Sequence, residues 1–210
     1  MKSNLEEIIT IPVGPLQTNC YVILTSGGES VVIDPGFEAE KILKACGKTE
    51  MTHILLTHGH FDHVGAVDDL RQKAGCKVVL HEKELLLYKK ACSIAAVFGL
   101  EGKELSPPDI LIKEEEMPVS LPFEVKVFHT PGHSKGGVSF LIGDILFSGD
   151  TLFAGSIGRT DLPEGSWQDM QKSLHKLMSL DDSLLVYPGH GPATNLEIEK
   201  RTNPFLLELK

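Results

Sequence analysis

Residues 57–63 read Thr-His-Gly-His-Phe-Asp-His, so His58, His60, Asp62 and His63 fall within six positions. Side chains of these types so close together would repel one another or leave polar groups unpaired unless a cation balanced them. Imidazole with carboxylate suits zinc, iron or manganese, and geometry and supply decide among these. Three further segments share one construction, an apolar strand, a Gly- or Pro-containing break and then a His or Asp: residues 125–133 (VKVFHTPGH), 145–150 (ILFSGD) and 184–190 (LLVYPGH). They add His133, Asp150 and His190. Seven ligands are too many for one tetrahedral ion. They suit two ions of three protein ligands each, with one carboxylate shared and an exchangeable water between them. No cysteine lies beside these positions, which argues against a purely structural Cys-rich site.

The remaining histidines, His53, His81, His129 and His175, stand alone and read as core or surface residues. Of these His129, four residues before His133, is the best placed to support a ligand through a hydrogen bond.

The elements that must position the cluster can be read from apolar patterning. Strands are predicted at Ile8–Val13, Cys20–Thr25, Val31–Asp34, residues 53–56, Lys77–His81, Glu124–His129, Val138–Ile142, Asp144–Phe147 and Leu184–Tyr187, separated by Gly/Pro turn signals. Helical patterns cover 38–46, 64–74 and 166–178, and 82–99 leans helical. Phe98 could roof a pocket, whereas the leucines of 82–99 read as core. The acidic run Lys113–Glu116 reads as a solvated loop or helix face. Alternating strands and helices make the class α/β, and the early hairpins predict mixed sheets. Strand ends in such folds are where ligands collect.

The 210 residues, 41% hydrophobic and 23% charged, suit one large domain over 1–210 with no linker or short repeat. A net charge of −9 disfavours a nucleic-acid partner, which needs basic stripes. No apolar run approaches a membrane span, and the opening MKSNLEEIITIPVG lacks a signal-peptide pattern. Cys20, Cys46, Cys76 and Cys92 are scattered and read as reduced thiols of a cytoplasmic protein.

His58-Gly59-His60-Phe61-Asp62-His63 has the form H-x-H-x-D-H and resembles the signature of the metallo-β-lactamase superfamily. The early Ile33-Asp34-Pro35-Gly36 and the later Pro131-Gly132-His133, Ser148-Gly149-Asp150 and Pro188-Gly189-His190 appear in that superfamily's order. The resemblance runs from Asn19-Cys20-Tyr21 to Thr202-Asn203-Pro204-Phe205. It implies an αββα sandwich with a two-metal site at one edge, most simply zinc. His58, His60 and His133 would hold the first metal, Asp62, His63 and His190 the second, and Asp150 would bridge them. A hydroxide between the metals would be the nucleophile, and Asp62 could also orient it.

Residues 152–161 (LFAGSIGRTD) and 199–205 (EKRTNPF) are similar to the short bacterial glyoxalase II-like hydrolases, whose substrates are thioesters such as S-lactoylglutathione. Longer glyoxalase II enzymes carry a C-terminal helical domain that helps grip glutathione, and no room for it is left after His190. The small-molecule substrate must then be gripped elsewhere, or its natural thiol is a different one. Arg159 is a candidate for its carboxylate, the alternative being an ion pair with Asp161 or Glu164; Lys135 is a further candidate. The competing reading is an iron-dependent persulfide dioxygenase, which shares the H-x-H-x-D-H form and a stretch like Gly158–Asp161 but uses one iron and consumes oxygen. A non-enzymatic metal-dependent sensing module is the third.

Overall fold

The computed structural model describes residues 5–100 and 102–209. Met1–Asn4, part of the opening read for a signal peptide, and the termini of the 1–210 span lie outside the described residues. The first half builds a six-stranded sheet in the order β1-β2-β3-β4-β5-β6: Leu5–Val13, Thr18–Thr25, Glu29–Ile33, Glu50–Leu55, Lys77–His81 and Ile110–Ile112. The first three strands pair antiparallel and the rest parallel. The second half builds a five-stranded sheet from β7 (Lys126–His129), β8 (Val138–Ile142), β9 (Ile145–Gly149), β12 (Leu185–Pro188) and β13 (Thr194–Asn195). Its order is β13-β12-β9-β8-β7, with β12 and β9 parallel. β10 (Leu152–Phe153) and β11 (Ser156–Ile157) form a small hairpin of their own.

Strand periodicity sorts side chains into layers. Tyr21, Ile23, Val31, Ile33, Leu55 and Val79 of the first sheet meet Val127, Phe140 and Phe147 of the second, so the sheets pack face to face. The alternate residues Val22, Val32, Ile54 and Leu80 face outward onto α1 (Ala39–Cys46), α2 (Phe61–Val64), α3 (Val67–Ala74) and α4 (Leu85–Val97). On the far side, Leu146 and Val186 pack against Met170, Leu174 and Leu177 of α5 (Trp167–Met178), Leu196 of α6 (Leu196–Thr202) and Leu206 of α7 (Pro204–Leu207). The order helices, sheet, sheet, helices is the expected αββα sandwich with mixed sheets. Burial on both faces explains why β2 and β3 read as unbroken apolar runs.

Several boundaries differ from the expectation. The helix expected over 64–74 is two pieces, with the first turn beginning at Phe61, so Asp62 and His63 sit on a helix. The break follows from a close crossing: the Ala66 N–H donates to the Pro35 carbonyl at 2.9 Å instead of continuing the helix. β3 ends at Ile33, leaving Asp34 outside it with φ 50°. The acidic run is a turn bridged from Lys113 to Glu116, and it is fastened down: Glu115 accepts from the His129 N–H at 2.8 Å. All four cysteines are unpaired. No helix among the described residues is long and apolar enough to cross a membrane.

Candidate metal centre

The seven singled-out residues converge at one edge of the sandwich, each delivered by the end of an element. β4 ends at Leu55 and feeds Thr57 and His58; His60 stands immediately before α2, and Asp62 and His63 lie within it. β7 leads to His133, β9 to Asp150 and β12 to His190. β9 and β12 pair in parallel with Pro188 opposite Gly149, which sets Asp150 and His190 side by side. The two sheets are tied across this edge. The Asn19 N–H donates to the Gly189 carbonyl at 2.7 Å, Tyr21 Oη donates to the Pro188 carbonyl at 2.6 Å, and the Val138 N–H donates to the Thr57 carbonyl at 2.9 Å.

Ligand atoms of His58, His60 and His133 lie within 4.8 Å of one another, and so do those of Asp62, His63 and His190. Asp150 reaches both groups: its carboxylate is 3.4 Å from His133 Nε2, 3.5 Å from His63 Nε2 and 3.6 Å from His190 Nε2. The outer ring nitrogens are committed. Thr57 Oγ1 donates to Asp34 at 2.6 Å and therefore accepts from His58 Nδ1 at 3.0 Å. His63 Nδ1 donates to Asp34 Oδ2 at 3.0 Å, His133 Nδ1 to the Arg159 carbonyl at 2.8 Å, and His190 Nδ1 to the Leu16 carbonyl at 3.2 Å. In the neutral ring each of these bonds leaves Nε2 as the lone-pair nitrogen turned to the cluster.

Three buried atoms of the cluster, His58 Nε2, His63 Nε2 and Asp150 Oδ1, have no hydrogen-bond partner. Buried polar atoms are ordinarily satisfied, so orphans grouped in this way fit a cation. The ligand atoms of Asp34, His58 and His63 also lie within 4.8 Å of one another. Asp34 is already saturated by Thr57 and His63, and it acts as the anchor of those two side chains.

The electrostatics divide the cluster into two halves. Burial, reinforced by neighbouring imidazoles, pushes His58 well down and His60 to about 4, so both are neutral at pH 7 with a free lone pair. Burial opposes the charge on Asp62, but His63 and His190 outweigh it and hold the carboxyl well below the usual carboxylate range. Burial likewise depresses His63, and Asp62, Asp150 and Asp34 overcome it, raising the ring to about 10; His190 is raised too, against its burial, by Asp62 and Asp150, so a cation bound here would displace a proton from each ring.

Beside the cluster lies a cavity of about 770 Å³, and Arg159 lines it. The Arg159 guanidinium makes two 2.8 Å bonds to Asp161, the ion-pair alternative, while its backbone carbonyl is what supports His133. Lys135 does not line this cavity: it faces an adjoining one, paired with Glu164 at 3.2 Å. His129 stacks on His81 and bonds the Lys135 carbonyl at 3.0 Å, so it braces the loop after His133 and not a ligand ring. His53 and His175 are likewise outside the three groups.

Two residues were missed. Asp34 carried a signal, the Asp-Pro-Gly turn after an apolar strand. Glu84 carried none: it reads as one more charge in Glu82-Lys83-Glu84, yet it is buried and accepts from the Gly59 N–H at 2.8 Å and the Gly136 N–H at 2.6 Å. It thereby ties the loop holding His58 and His60 to the loop that follows His133.

Residues 13–190 match the family model described as the metallo-beta-lactamase superfamily. A probable metallo-hydrolase, YqgX of Bacillus subtilis, is 42% identical over 93% of this chain and 95% of its own. Hydroxyacylglutathione hydrolase GloC of Haemophilus influenzae is 37% identical over 93% of this chain and 96% of its own. Among solved structures, BLEG-1 B3 metallo-beta-lactamase superposes with a TM-score of 0.89 at 39% identity, covering 95% of this chain and 99% of that one. TTHA1623 in a di-iron-bound form superposes at 0.87 with 43% identity, covering 94% of this chain and 100% of that one.

Proposed function

The chain belongs to the metallo-beta-lactamase superfamily, and we propose that it is a dinuclear metallo-hydrolase whose reaction is cleavage of a thioester such as S-lactoylglutathione. The observation that carries this reading is the pair of three-residue groups with orphaned Nε2 atoms and the Asp150 carboxylate between them. His58, His60 and His133 would hold one divalent cation, Asp62, His63 and His190 the other, and Asp150 would touch both. Zinc suits this donor set, and so do iron and manganese; the similar TTHA1623 structure contains two irons. Two cations there would supply a water-derived nucleophile at neutral pH and polarise the scissile carbonyl.

The chain's own residues supply the rest. Asp62 is ionised, and its Oδ2 accepts from Thr18 Oγ1 at 2.9 Å, which fixes the carboxylate that orients the attacking water. Water oxygen bonds to the carbonyl carbon, the C–S bond breaks, and the sulfur leaves as thiol or thiolate while the acyl group leaves as carboxylate. A thiolate is a good leaving group, so a strong general acid is not required. The 37% identity to a hydroxyacylglutathione hydrolase supports the choice of thioester. The substrate is a small molecule, and the net charge of −9 supports no nucleic-acid role. Four unpaired thiols support a reducing, cytoplasmic setting.

The test is thiol release from S-lactoylglutathione by the metal-loaded protein without oxygen. A kcat/KM above about 10⁴ M⁻¹s⁻¹ is expected. Opening of a β-lactam with no thioester cleavage, or persulfide-dependent oxygen uptake, would overturn the reading.

A further inference from the structure

Resting on the thioesterase reading, we infer that the natural acyl group is a bulky apolar one, an alkyl or aryl chain of about six carbons or more, seated on a wall made by α4 and the β10–β11 hairpin. The wall begins with spacing. Leu86, Lys90, Ile94 and Phe98 follow one another at four-residue intervals, which puts them on one stripe of the helix and its C-terminal cap. All four line the cavity that holds His60, Asp62, His133, Asp150 and His190. Across from them Phe153 and Ile157 come from the hairpin and Leu16 from the β1–β2 turn. Phe153 meets the His190 ring edge-on at 6.2 Å, so the apolar lining reaches the ligand cluster.

These side chains are left open. Leu86 is 52% exposed, Phe98 62% and Leu16 46%, whereas Leu87, Tyr88, Ala91 and Ala95 form the buried face of α4; Val97, also exposed, does not line the cavity. Large apolar groups left exposed together around one site mark the place of a ligand. Phe98 is held in position by stacking on Phe61 at 5.2 Å, next to Asp62 in sequence. Charge on this lining is mostly spent: Arg159 is paired with Asp161 and Glu164 with Lys135, leaving Lys90 as the one lining Lys or Arg without an ion-pair partner among the described residues.

A lactoyl group is too small to cover this wall, and its hydroxyl gains no hydrogen bond from hydrocarbon. The thiol arm of a glutathione-type substrate is charged and belongs in water, so the acyl arm is the part that can cover the stripe. The hydrolysis itself is unchanged: one C–O bond forms from water, the C–S bond breaks, and nothing is oxidised or reduced.

Two measurements on the metal-loaded protein test this. The first compares S-hexanoylglutathione with S-lactoylglutathione; hexanoyl is expected to be favoured at least tenfold in kcat/KM. The second measures binding of the uncleavable thioethers S-hexylglutathione and S-methylglutathione, with the hexyl compound expected to bind at least tenfold tighter. Leu86→Ser should shrink both ratios towards one. Leu86 is half exposed, so the variant folds, which an unchanged Tm checks; Leu86→Met should restore both ratios. Thioester cleavage with equal rates, or with lactoyl preferred, overturns the apolar arm and leaves the thioesterase standing. Chain-length-dependent thioether binding that needs Leu86, with no thioester cleaved, supports the apolar wall and removes the thioesterase. Neither cleavage nor chain-length dependence overturns both.

Discussion

At the scale of single residues, ligand identity depends on what stands behind each imidazole. His58 and His63 present Nε2 because Thr57 and Asp34 occupy their other nitrogens, and Asp34 is common to both through the Thr57 hydroxyl. Asp34 touches neither the cavity nor the group of His60 and His133, so its effect on chemistry passes through His63 and His58. Asp34→Asn should therefore weaken metal binding about 10- to 100-fold. Competition with a chelating dye would read the change, and unchanged affinity would show that the rings hold their tautomers without it. The cluster of seven side chains was legible in the sequence because each stands just beyond an apolar strand, close to a Gly or Pro. Asp34 has that context too, but a carboxylate that acts by holding Thr57 and His63 leaves no spacing signature. Glu84 is less legible still, since only the fold reveals that its neighbours are the N–H groups of Gly59 and Gly136.

At the scale of elements, close backbone crossings set where the cluster side chains stand. Gly189 runs so near β9 that a Cβ there would lie 2.1 Å from Asp150 Oδ1 and 2.8 Å from His63 Cε1. Gly189→Ala should push the Asp150 carboxylate out of place while the sheets remain. A fall of about 100-fold in activity is expected, the scale of an ångström's misplacement, with little change in Tm. Activity near wild type would mean that Asp150 is not needed where it stands. A similar crossing, of Gly36 against α2, splits the helix expected over 64–74: a Cβ at Gly36 would fall 1.7 Å from the Asp62 carbonyl. Periodicity cannot show such contacts, because they join residues far apart in sequence. The same limit explains why β6, three residues long, went unread: it is a strand only because β5 lies beside it. The major strands and helices were legible, since their burial writes the apolar pattern directly.

At the scale of the whole molecule, three apolar layers carry the fold, and the site is set into one edge of it. Stability should still respond to pH through groups away from the cluster. His81 is buried, accepts from the Lys83 N–H at 3.3 Å and stacks on His129. Burial, then His129 and Lys83, pushes it down from 6.5 to about 4. A histidine depressed in the fold contributes fully above its unfolded value, and the contribution is lost as pH falls from about 6.5 to about 4. Wild type should lose about 2 kcal/mol more than His81→Gln across that range, read from chemical denaturation of the two metal-free proteins. Parallel curves would exclude His81 as the source.

The central claim is that one chain holds two cations between seven side chains. Counting metal at saturation, by titrating the metal-free protein with zinc and separately with iron, tests it most directly. Two ions per chain are predicted, falling to at most one in His58→Ala/His63→Ala, which removes a ligand from each group. A single ion per chain with either metal, or an unchanged count in the double variant, would contradict the assignment, and one iron would turn attention to the mononuclear dioxygenase chemistry.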